Sequence, residues 1–571
     1  MSATESPPRL RDQPGTPPHR RAVRAVAAVA ALAAIGALLW WGYYRLSWTV
    51  PATSDGAAIA LQAQDMLHGN WLLSGWTIGD VSFWTTELPE YALVELVRHL
   101  GTDVIHVAAA VTYTLLVLLA GALAVGRPGV DSLHQHNVAE GSRGVRGVAP
   151  RASRVVPPSK ESLVRGLITV GIMLAPQLGY GAFVLLLSPD HTGTQVPLLL
   201  GWLILDLAPR RWWVPVLLGL LMASTVVSDR AAVLTAVVPL IVVCLVRACL
   251  PRYRGRWFEL SLAASAVAAA GVAQVANGLL ARAGGFTAFP LSMTFAAAGR
   301  LWTHTWLTGW GIQELYGANF IGVSGWPRMF FAVVHVAGLA LAAAGFAVAL
   351  GRFLRLRADA DLVDSVLAVA IACNLISYVL SIEPGTIRGT GYPAREIAAV
   401  LPLGAVLAGR VIGPKLARGQ WLPARSGYVA LGLLACYGAA LAYGAAQPAA
   451  PGDDADLTAW LAANHLSYGL GRAESNIVSV ESGGSVRLAV VADRGGLVRE
   501  QLYQSARSWY DPRLHFANFV IASTPPGNPA YAPDLIAVGD ARRTFGPPAR
   551  IYHFGGYTVM VWDVNLLTRL R

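Results

Sequence analysis

The stretch RLSWTVPATSDGAAIALQAQDMLHGNWLLSGWTIGDVSFWTTELPEYALVELVRHLG, residues 45–101, decides how the rest of the chain is interpreted. It follows a long apolar run, yet it carries too many acidic and polar residues to lie inside a bilayer. Residues 56–67 and 88–100 have the apolar spacing of two amphipathic helices, and Ser54 is placed to cap the first. Its tryptophans are typical of the water–lipid interface, so we predict surface helices lying on a membrane.

The sequence around this loop is that of a membrane protein. The chain has 571 residues, of which 54% are hydrophobic and only 13% charged, whereas soluble proteins carry about a quarter charged residues. This composition excludes an ordinary cytosolic enzyme. Apolar runs long enough to cross a bilayer recur along the chain, and we place eleven spans at about 23–43, 104–125, 166–187, 196–208, 212–227, 231–250, 258–280, 329–350, 362–382, 396–412 and 427–445. The predicted fold is mostly α, a polytopic helical membrane bundle.

The net charge of +11 is explained by the predicted membrane topology and does not indicate a nucleic-acid partner. Residues 446–571 hold 11 Arg against 11 Asp and Glu, so the excess lies entirely in residues 1–445. Of the 33 Lys and Arg residues there, 25 fall in segments that face one side of the predicted bundle. Cytoplasmic loops are enriched in Lys and Arg. We therefore predict a multi-pass cell-membrane protein with a disordered, basic, cytoplasmic tail at 1–22.

The same topology puts three long segments and the C-terminal part outside the cytoplasm. The bundle is predicted over 23–445, with the external loop at 44–103, and residues 446–571 form an extracytoplasmic α/β domain. Alternating apolar residues on either side of Gly555-Gly556 predict a β-hairpin. The other elements predicted in this domain are a helix at 456–464, strands at 486–492 and 515–522, and a helix near 496–507.

Three carboxylates of the first external loop are candidate catalytic residues. Asp55 begins one predicted helix, and Glu87 and Glu90 begin the next. A carboxylate beside a lipid-delivered substrate can take a proton from an acceptor hydroxyl or hold a divalent cation. The alternative is structural, because acidic residues stabilise a helix N-terminus through the helix dipole.

The short external segment EPGTIRGTGYPARE, residues 383–396, holds the candidate substrate-binding residues. Arg388 and Arg395 lie on the side that is normally poor in arginine, and guanidinium groups grip phosphate by paired hydrogen bonds. The alternative is an internal pairing with the glutamates of the same segment. Tyr392 in this segment and His191 in the external turn before the span at 196–208 complete the candidate set.

This layout resembles the GT-C class of membrane glycosyltransferases, which share a basic N-terminus, one helix and then a large external loop with an acidic residue soon after that helix. The residues that carry the resemblance are Ser54-Asp55-Gly56, AQDMLHGN at 63–70 and Glu87-Leu88-Pro89-Glu90. The resemblance implies sugar transfer from a polyprenyl-phosphate donor in the membrane to a glycan or lipid acceptor outside it. By position it makes Asp55 the catalytic acid or base.

The resemblance also implies that Glu87 or Glu90 is the second acidic residue, while Arg388 and Arg395 hold phosphate by the physical argument alone. Many members have Asp-Glu or Asp-x-Asp where this chain has Asp55-Gly56. The cofactor is therefore undetermined, with a divalent cation at Asp55 as one candidate. Two alternatives stay open, a transporter or flippase and a non-catalytic envelope scaffold, and the scaffold requires that Asp55 and Arg395 lie far apart.

Overall fold

The computed structural model describes most of the chain. The described residues are 18–126, 159–187, 191–208, 210–250, 256–289, 294–320, 323–357, 359–386, 392–419, 426–452, 454–472, 476–523, 536–554 and 556–570. The predicted tail at 1–22 lies almost wholly outside them, and so does Arg388.

Helices account for most of the described chain. They are α1 (Pro18–Ser47), α2 (Ser54–Leu67), α3 (Glu87–Arg98), α4 (Thr102–Val125), α5 (Lys160–Met173), α6 (Tyr180–Ala182), α7 (Gln195–Leu207), α8 (Trp213–Ser228), α9 (Val238–Cys249), α10 (Arg256–Arg282), α11 (Leu301–Leu315), α12 (Trp326–Leu354), α13 (Leu362–Leu380), α14 (Val400–Leu407), α15 (Gly413–Ala417), α16 (Ser426–Ala445), α17 (Ala455–Ala463), α18 (Asn476–Glu481) and α19 (Val538–Phe545). Single π-helical turns continue α6, precede α9 and join α14 to α15.

The apolar helices confirm the predicted multi-pass membrane bundle. Within the described ranges, six helices are long and apolar enough to cross a bilayer: Val29–Ser47, Thr102–Val125, Arg256–Arg282, Trp326–Leu354, Leu362–Leu380 and Ala394–Ala417. Four shorter apolar helices lie at Gln195–Leu207, Trp213–Ser228, Val233–Cys249 and Leu431–Ala445. These ten correspond to ten of the eleven predicted spans.

The remaining predicted span, 166–187, is wrong as a continuous helix. Helix α5 ends at Met173, and α6 begins only at Tyr180. Pro176 has no backbone N–H to donate, and Gly179 has φ 84°, so the helical hydrogen-bond pattern cannot continue. Side chains of neighbouring helices satisfy the carbonyl groups freed by the break, as irregular backbone in a membrane protein requires. The Tyr43 hydroxyl donates to the carbonyl of Leu174 at 3.1 Å.

Helix α2 of the first loop folds differently from the predicted surface helix. Helices α2 and α3 form where expected, but α2 is buried along most of its length, with Ala57 and Ile59 at most 1% exposed. Its sequence is rich in alanine and apolar on most sides, which is typical of a helix covered all round. The C-terminal part of the chain supplies that cover through α18, which packs on α2.

The C-terminal part is a mixed α/β unit, as predicted. Its six-stranded sheet has the order β5-β4-β3-β7-β9-β8. The strands are β3 (Tyr468–Gly471), β4 (Arg487–Asp493), β5 (Val498–Glu500), β7 (Phe519–Ser523), β8 (Arg550–Phe554) and β9 (Tyr557–Val561). Strand β3 pairs in parallel with β4 and β7, and β8 and β9 form the predicted antiparallel hairpin.

A small second sheet ties this unit to the first loop. Strand β1 (Trp76–Ile78) pairs in parallel with β2 (Thr287–Ala288) and antiparallel with β6 (Ser505–Ala506). The helix predicted near 496–507 is therefore wrong, because this segment forms β5 and β6. Three distant parts of the chain meet in this sheet. The sheet fixes the position of β6, and Gln504, the residue before β6, bonds to Asp55 at the start of α2.

Candidate functional site

Asp55 and Arg395 meet at the end of the bundle that carries the α/β unit, which we call the domain end. The Arg395 Nη1 atom donates to Asp55 Oδ2 at 3.1 Å, although the two residues are 340 positions apart. Asp55 lies in the first turn of α2, where the helix dipole favours a negative charge. Both side chains remain partly open, at 16% and 22% exposed, so a ligand can reach the pair.

The backbone around Asp55 is fixed by a cap. Thr53, rather than the predicted Ser54, is the N-cap residue, and its Oγ1 atom accepts from the N–H of Gly56 at 3.1 Å. The same hydroxyl donates to the carbonyl of Leu187 at 3.0 Å. The start of α2 is therefore attached to the segment that follows the helix break.

A third residue of the site comes from the α/β unit. Gln504, one residue before β6, donates from Nε2 to Asp55 Oδ1 at 2.9 Å. Each carboxylate oxygen of Asp55 thus accepts a hydrogen bond from a different part of the chain. No local sequence signal indicates Gln504, because 449 positions separate it from Asp55.

The charges continue inward from Arg395 as a row of alternating sign. Arg395 Nε lies 3.4 Å from Glu396 Oε1, and Glu396 Oε2 lies 2.8 Å from His191 Nε2. On its other side, His191 Nδ1 lies 2.8 Å from Asp229 Oδ2. We call Asp55, Arg395, Glu396, His191 and Asp229 the domain-end row. The predicted internal pairing of Arg395 with a glutamate therefore exists together with its contact to Asp55.

His191 is the buried cation of this row. Although burial alone favours the neutral ring, the carboxylates of Asp229 and Glu396 hold the pKa of His191 well above its usual value. The imidazolium has an N–H group for each carboxylate. Thr194 donates to the same Asp229 oxygen at 2.7 Å, which fixes that end of the row. The predicted role of His191 in substrate binding remains a prediction.

Of the two glutamates predicted as partners of Asp55, Glu87 is buried and Glu90 is half-buried. Glu87 is 3% exposed and packs against Gly193, where an added Cβ would collide with its carboxyl group. Burial raises the pKa of Glu87 to about 8, and the Asp229 and Glu90 carboxylates act in the same direction. Glu90 accepts from Thr112 at 2.8 Å, and burial raises its pKa to about 7. Both groups are therefore mainly protonated or close to half-protonated at neutral pH, and their catalytic roles remain predictions.

The loop that holds Arg395 is described only in part. Tyr392 begins the short 3₁₀ helix Tyr392–Ile397 that presents Arg395. The side-chain amide of Asn374 donates to the backbone carbonyl of Glu396 at 3.1 Å and so anchors this helix to α13. The predicted roles of Tyr392 in substrate binding and of Arg395 in phosphate binding remain predictions.

The surroundings of Asp55 do not fit a divalent cation. Such an ion prefers several oxygen ligands, but the oxygens of Asp55 face N–H donors of Arg395 and Gln504. Among the residues that the structure describes, no group of three or more His, Cys, Asp or Glu side chains is placed to hold a metal ion. At this position the guanidinium group supplies the positive charge.

Comparison with known proteins gives a match in structure and none in sequence. No protein-family model matches the chain, and no curated protein matches it by sequence. Its fold is similar to the crystal structure of ArnT from Cupriavidus metallidurans bound to undecaprenyl phosphate, with a TM-score of 0.51 and 12% sequence identity. The similarity covers 95% of this chain and 99% of that chain. It confirms the GT-C fold that the resemblance predicted.

Proposed function

We propose that this protein is an integral membrane glycosyltransferase that moves a sugar from a polyprenyl-phosphate donor to an acceptor outside the cytoplasm. The observation that carries the proposal is the contact between Asp55 and Arg395, a carboxylate and a guanidinium that meet at the domain end of the bundle. The fold adds support, because it is shared along nearly its whole length with a protein bound to undecaprenyl phosphate.

The orientation of the chain is part of the proposal. With the basic loops in the cytoplasm, the N-terminus is cytoplasmic and the domain end faces outward. The lipid tail of the donor then lies among the apolar helices, while its phosphate reaches the level of Arg395.

The proposed reaction uses Asp55 as the general base. The acceptor hydroxyl oxygen forms a bond to the anomeric carbon, and the bond from that carbon to the donor phosphate oxygen breaks. The hydroxyl proton passes to Asp55, and polyprenyl phosphate leaves. A positioned carboxylate and a preorganised cation are the two groups that such a transfer needs.

Arg395 has two tasks in this scheme. Without substrate its guanidinium holds the Asp55 carboxylate in a fixed orientation. When the donor enters, the same group turns to the phosphate oxygens and stabilises the negative charge that develops on them. The bond from Nε to Glu396 keeps the guanidinium in place during this exchange.

The central test is Asp55→Asn in the purified full-length protein. The substitution removes the base and keeps the size of the side chain, so we expect transfer from synthetic polyprenyl-phosphate sugars to fall about 10³-fold or more. Asp456→Asn, at an exposed position in the first turn of α17, is the matched control and should transfer normally. Retained transfer in Asp55→Asn would exclude its role as the base.

A second test needs no knowledge of the sugar. Native mass spectrometry measures how much undecaprenyl phosphate stays bound to the protein. We expect Arg395→Gln to weaken this binding about tenfold, whereas Arg513→Gln, at an exposed position of the α/β unit, should leave it unchanged. Equal retention in the two variants would remove Arg395 as the phosphate ligand.

One observation favours transport as a second candidate function. The break between α5 and α6 lies within an apolar segment, and interrupted helices line the substrate paths of many transporters. In that case undecaprenyl phosphate would cross liposome membranes with purified protein, and Asp55→Asn would leave the crossing unchanged. The scaffold alternative required Asp55 and Arg395 to lie apart, and their 3.1 Å contact argues against it.

A further inference from the structure

A cavity lies between the bundle and the α/β unit, close to the domain-end row but separate from it. Its walls come from the end of α1 and the start of α4 on one side and from α17 and α18 on the other. The chain between α16 and α17 closes one edge, where the N–H of Ala450 donates to the carbonyl of Trp48 at 2.7 Å. The nearest part of the first loop is Val50–Ala52, which leads directly into the cap of α2.

The polar groups of this cavity are hydroxyls, one carboxylate and the imidazole ring of His106. Thr102, Thr458, Ser482 and Ser485 supply the hydroxyl groups, and Glu481 supplies the carboxylate. Hydroxyl groups both donate and accept hydrogen bonds, whereas a carboxylate only accepts. No Lys or Arg is among the described residues that line the cavity. A phosphate or other anion would therefore find no cation here, while a ligand with many neutral hydroxyl groups would find partners for them.

Trp48 gives the cavity an aromatic wall in a fixed orientation. Its ring stacks on His106 with centroids 3.9 Å apart and an angle of 22° between planes. His106 is held in turn, with Nδ1 3.0 Å from Ser47 Oγ. An aromatic ring beside a small number of oriented polar groups is typical of small-ligand sites, and the part of the Trp48 ring that lines the cavity suits the apolar face of a sugar ring.

Glu481 is also oriented before any ligand arrives. The Thr458 hydroxyl donates to its Oε2 atom at 2.8 Å, which joins α17 to α18 across the cavity wall. The carboxylate is therefore placed as an acceptor for hydroxyl or amino groups of a ligand.

Helix α18 connects this cavity to the proposed catalytic site. It begins at Asn476, whose side-chain amide donates to the carbonyl of Gln504 at 3.2 Å, and Gln504 in turn donates to Asp55. It ends at Glu481 in the cavity. Its 6 residues span about 9 Å at a rise of 1.5 Å per residue. A chain of linked sugars can therefore have one end at Asp55 and another residue in the cavity.

We propose that this cavity is a saccharide subsite that binds an uncharged sugar residue of a glycan acceptor. This inference rests on the proposed function, since it places the acceptor whose hydroxyl group Asp55 activates. It identifies the acceptor as an oligosaccharide or polysaccharide with neutral sugars behind the reacting end.

Direct binding to the full-length protein tests the subsite. The probes are maltotetraose and chitotetraose, which are neutral, and a hyaluronan tetrasaccharide, which is anionic. Isothermal titration calorimetry gives the dissociation constants, and saturation-transfer NMR shows which sugar protons touch the protein. We expect a neutral probe to bind about tenfold or more tightly than the anionic one. Failure of both neutral probes to bind, or a preference for hyaluronan, overturns the proposal.

A matched pair of substitutions on α17 locates the binding. Ala459 lines the cavity and is exposed, so Ala459→Trp fills the space without disturbing the core. Ala463, one turn further along, is exposed and lies outside the lining, so Ala463→Trp is the control. We expect Ala459→Trp to weaken neutral-probe binding about tenfold or more, and Ala463→Trp to have no effect. An equal effect of both variants would place the saccharide elsewhere.

Asp55→Asn separates this inference from the proposed function. We expect the variant to bind the neutral probe normally while it transfers no sugar. If Asp55→Asn retains transfer, the proposal that Asp55 is the catalytic base fails. The binding of the neutral probes still tests the saccharide subsite in that case. If transfer behaves as proposed and Ala459→Trp binds the neutral probe normally, the subsite fails and the catalytic proposal stands.

Discussion

Two clusters of charged side chains lie at opposite ends of the same helix bundle, and they are built differently. In the domain-end row, two cations alternate with three carboxylates, and each cation lies between two of them. At the opposite end, Arg410 alone contacts three carboxylates, those of Asp206, Asp361 and Asp364. Its Nη1 also donates to the carbonyl of Leu123 at 3.1 Å. We call these four charged residues the Arg410 cluster.

The exposure of the two cations shows what each arrangement can do. The Arg410 side chain is 9% exposed, and its three nitrogen atoms all have partners on α4, α7 or the start of α13. A guanidinium enclosed in this way holds helices together. Arg395 is 22% exposed and shares its bonds between two carboxylates, so it can exchange one of them for a ligand. Similar ion pairs thus serve structure at one end and, in our proposal, chemistry at the other.

The largest effect on stability is expected at the enclosed cluster. Arg410→Met leaves three carboxylates without their cation, and losing one partner of a buried ionic group costs about 3–5 kcal/mol. Arg418→Gln is the matched control, since Arg418 is 46% exposed and its 3.5 Å pair with Glu161 is a surface pair of about 0–1 kcal/mol. Thermal unfolding in detergent compares the two variants. Equal unfolding midpoints would mean that the Arg410 cluster does not hold the helices together.

A smaller loss of stability is expected from a substitution of His191, in the buried half of the domain-end row. His191→Gln removes the cation between Asp229 and Glu396 and leaves a hydrogen bond to only one of them, at a cost of about 1–3 kcal/mol. Because Glu396 positions Arg395, undecaprenyl phosphate binding should weaken as well, and His191→Lys should recover part of it. His465→Gln, at an exposed position, controls for the loss of a histidine. Normal lipid binding in His191→Gln would separate His191 from the function of Arg395.

The buried glutamate beside this row predicts how stability depends on pH. The pKa of Glu87, about 8 in the folded protein, is raised from its ordinary value of 4.5. Between these two values the folded state binds a proton that the unfolded state has lost. Stability is therefore greatest below pH 4.5 for this group and decreases as pH rises towards 8, by up to about 1.4 kcal/mol per pH unit.

Glu87→Gln should remove this dependence. We expect the unfolding free energy of the variant to change less between pH 5 and pH 8 than that of the natural protein, with Asp456→Asn as the unchanged control. A variant whose slope equals that of the natural protein would show that Glu87 titrates near its ordinary pKa.

The two clusters also show what could be predicted from the sequence. Long apolar helices follow from local composition, and so does the placing of Asp55 at a helix start and of Arg395 in a loop between two apolar helices. The burial of α2 could not be predicted, because it depends on α18, which lies more than 400 positions away. Asp229 and Gln504 were missed for the same reason. Asp229 lies in the domain-end row only because it contacts His191, and Gln504 reaches Asp55 only in the folded chain.

The segment 496–507 shows a related limit. Its residues favour a helix locally, yet they form β5 against β4 and β6 against β1. Strands of two or three residues leave little periodicity to detect. Their formation depends on partners elsewhere in the chain, since pairing with a neighbouring strand decides the structure of such short segments.

The smallest predicted loss of stability comes from the N-cap of α2, Thr53, which precedes Asp55. Thr53→Ala removes the hydroxyl that accepts from Gly56 and donates to Leu187, and such caps contribute about 1 kcal/mol. Ser54→Ala is the matched control, because the residue indicated by the sequence does not cap α2 in the folded protein. We expect only Thr53→Ala to lower the unfolding midpoint, and to lower transfer several-fold by loosening Asp55. If Ser54→Ala has the larger effect, the cap lies one residue further along. The carboxylate of Asp55 would then be oriented mainly by Arg395 and Gln504 and not by its own helix.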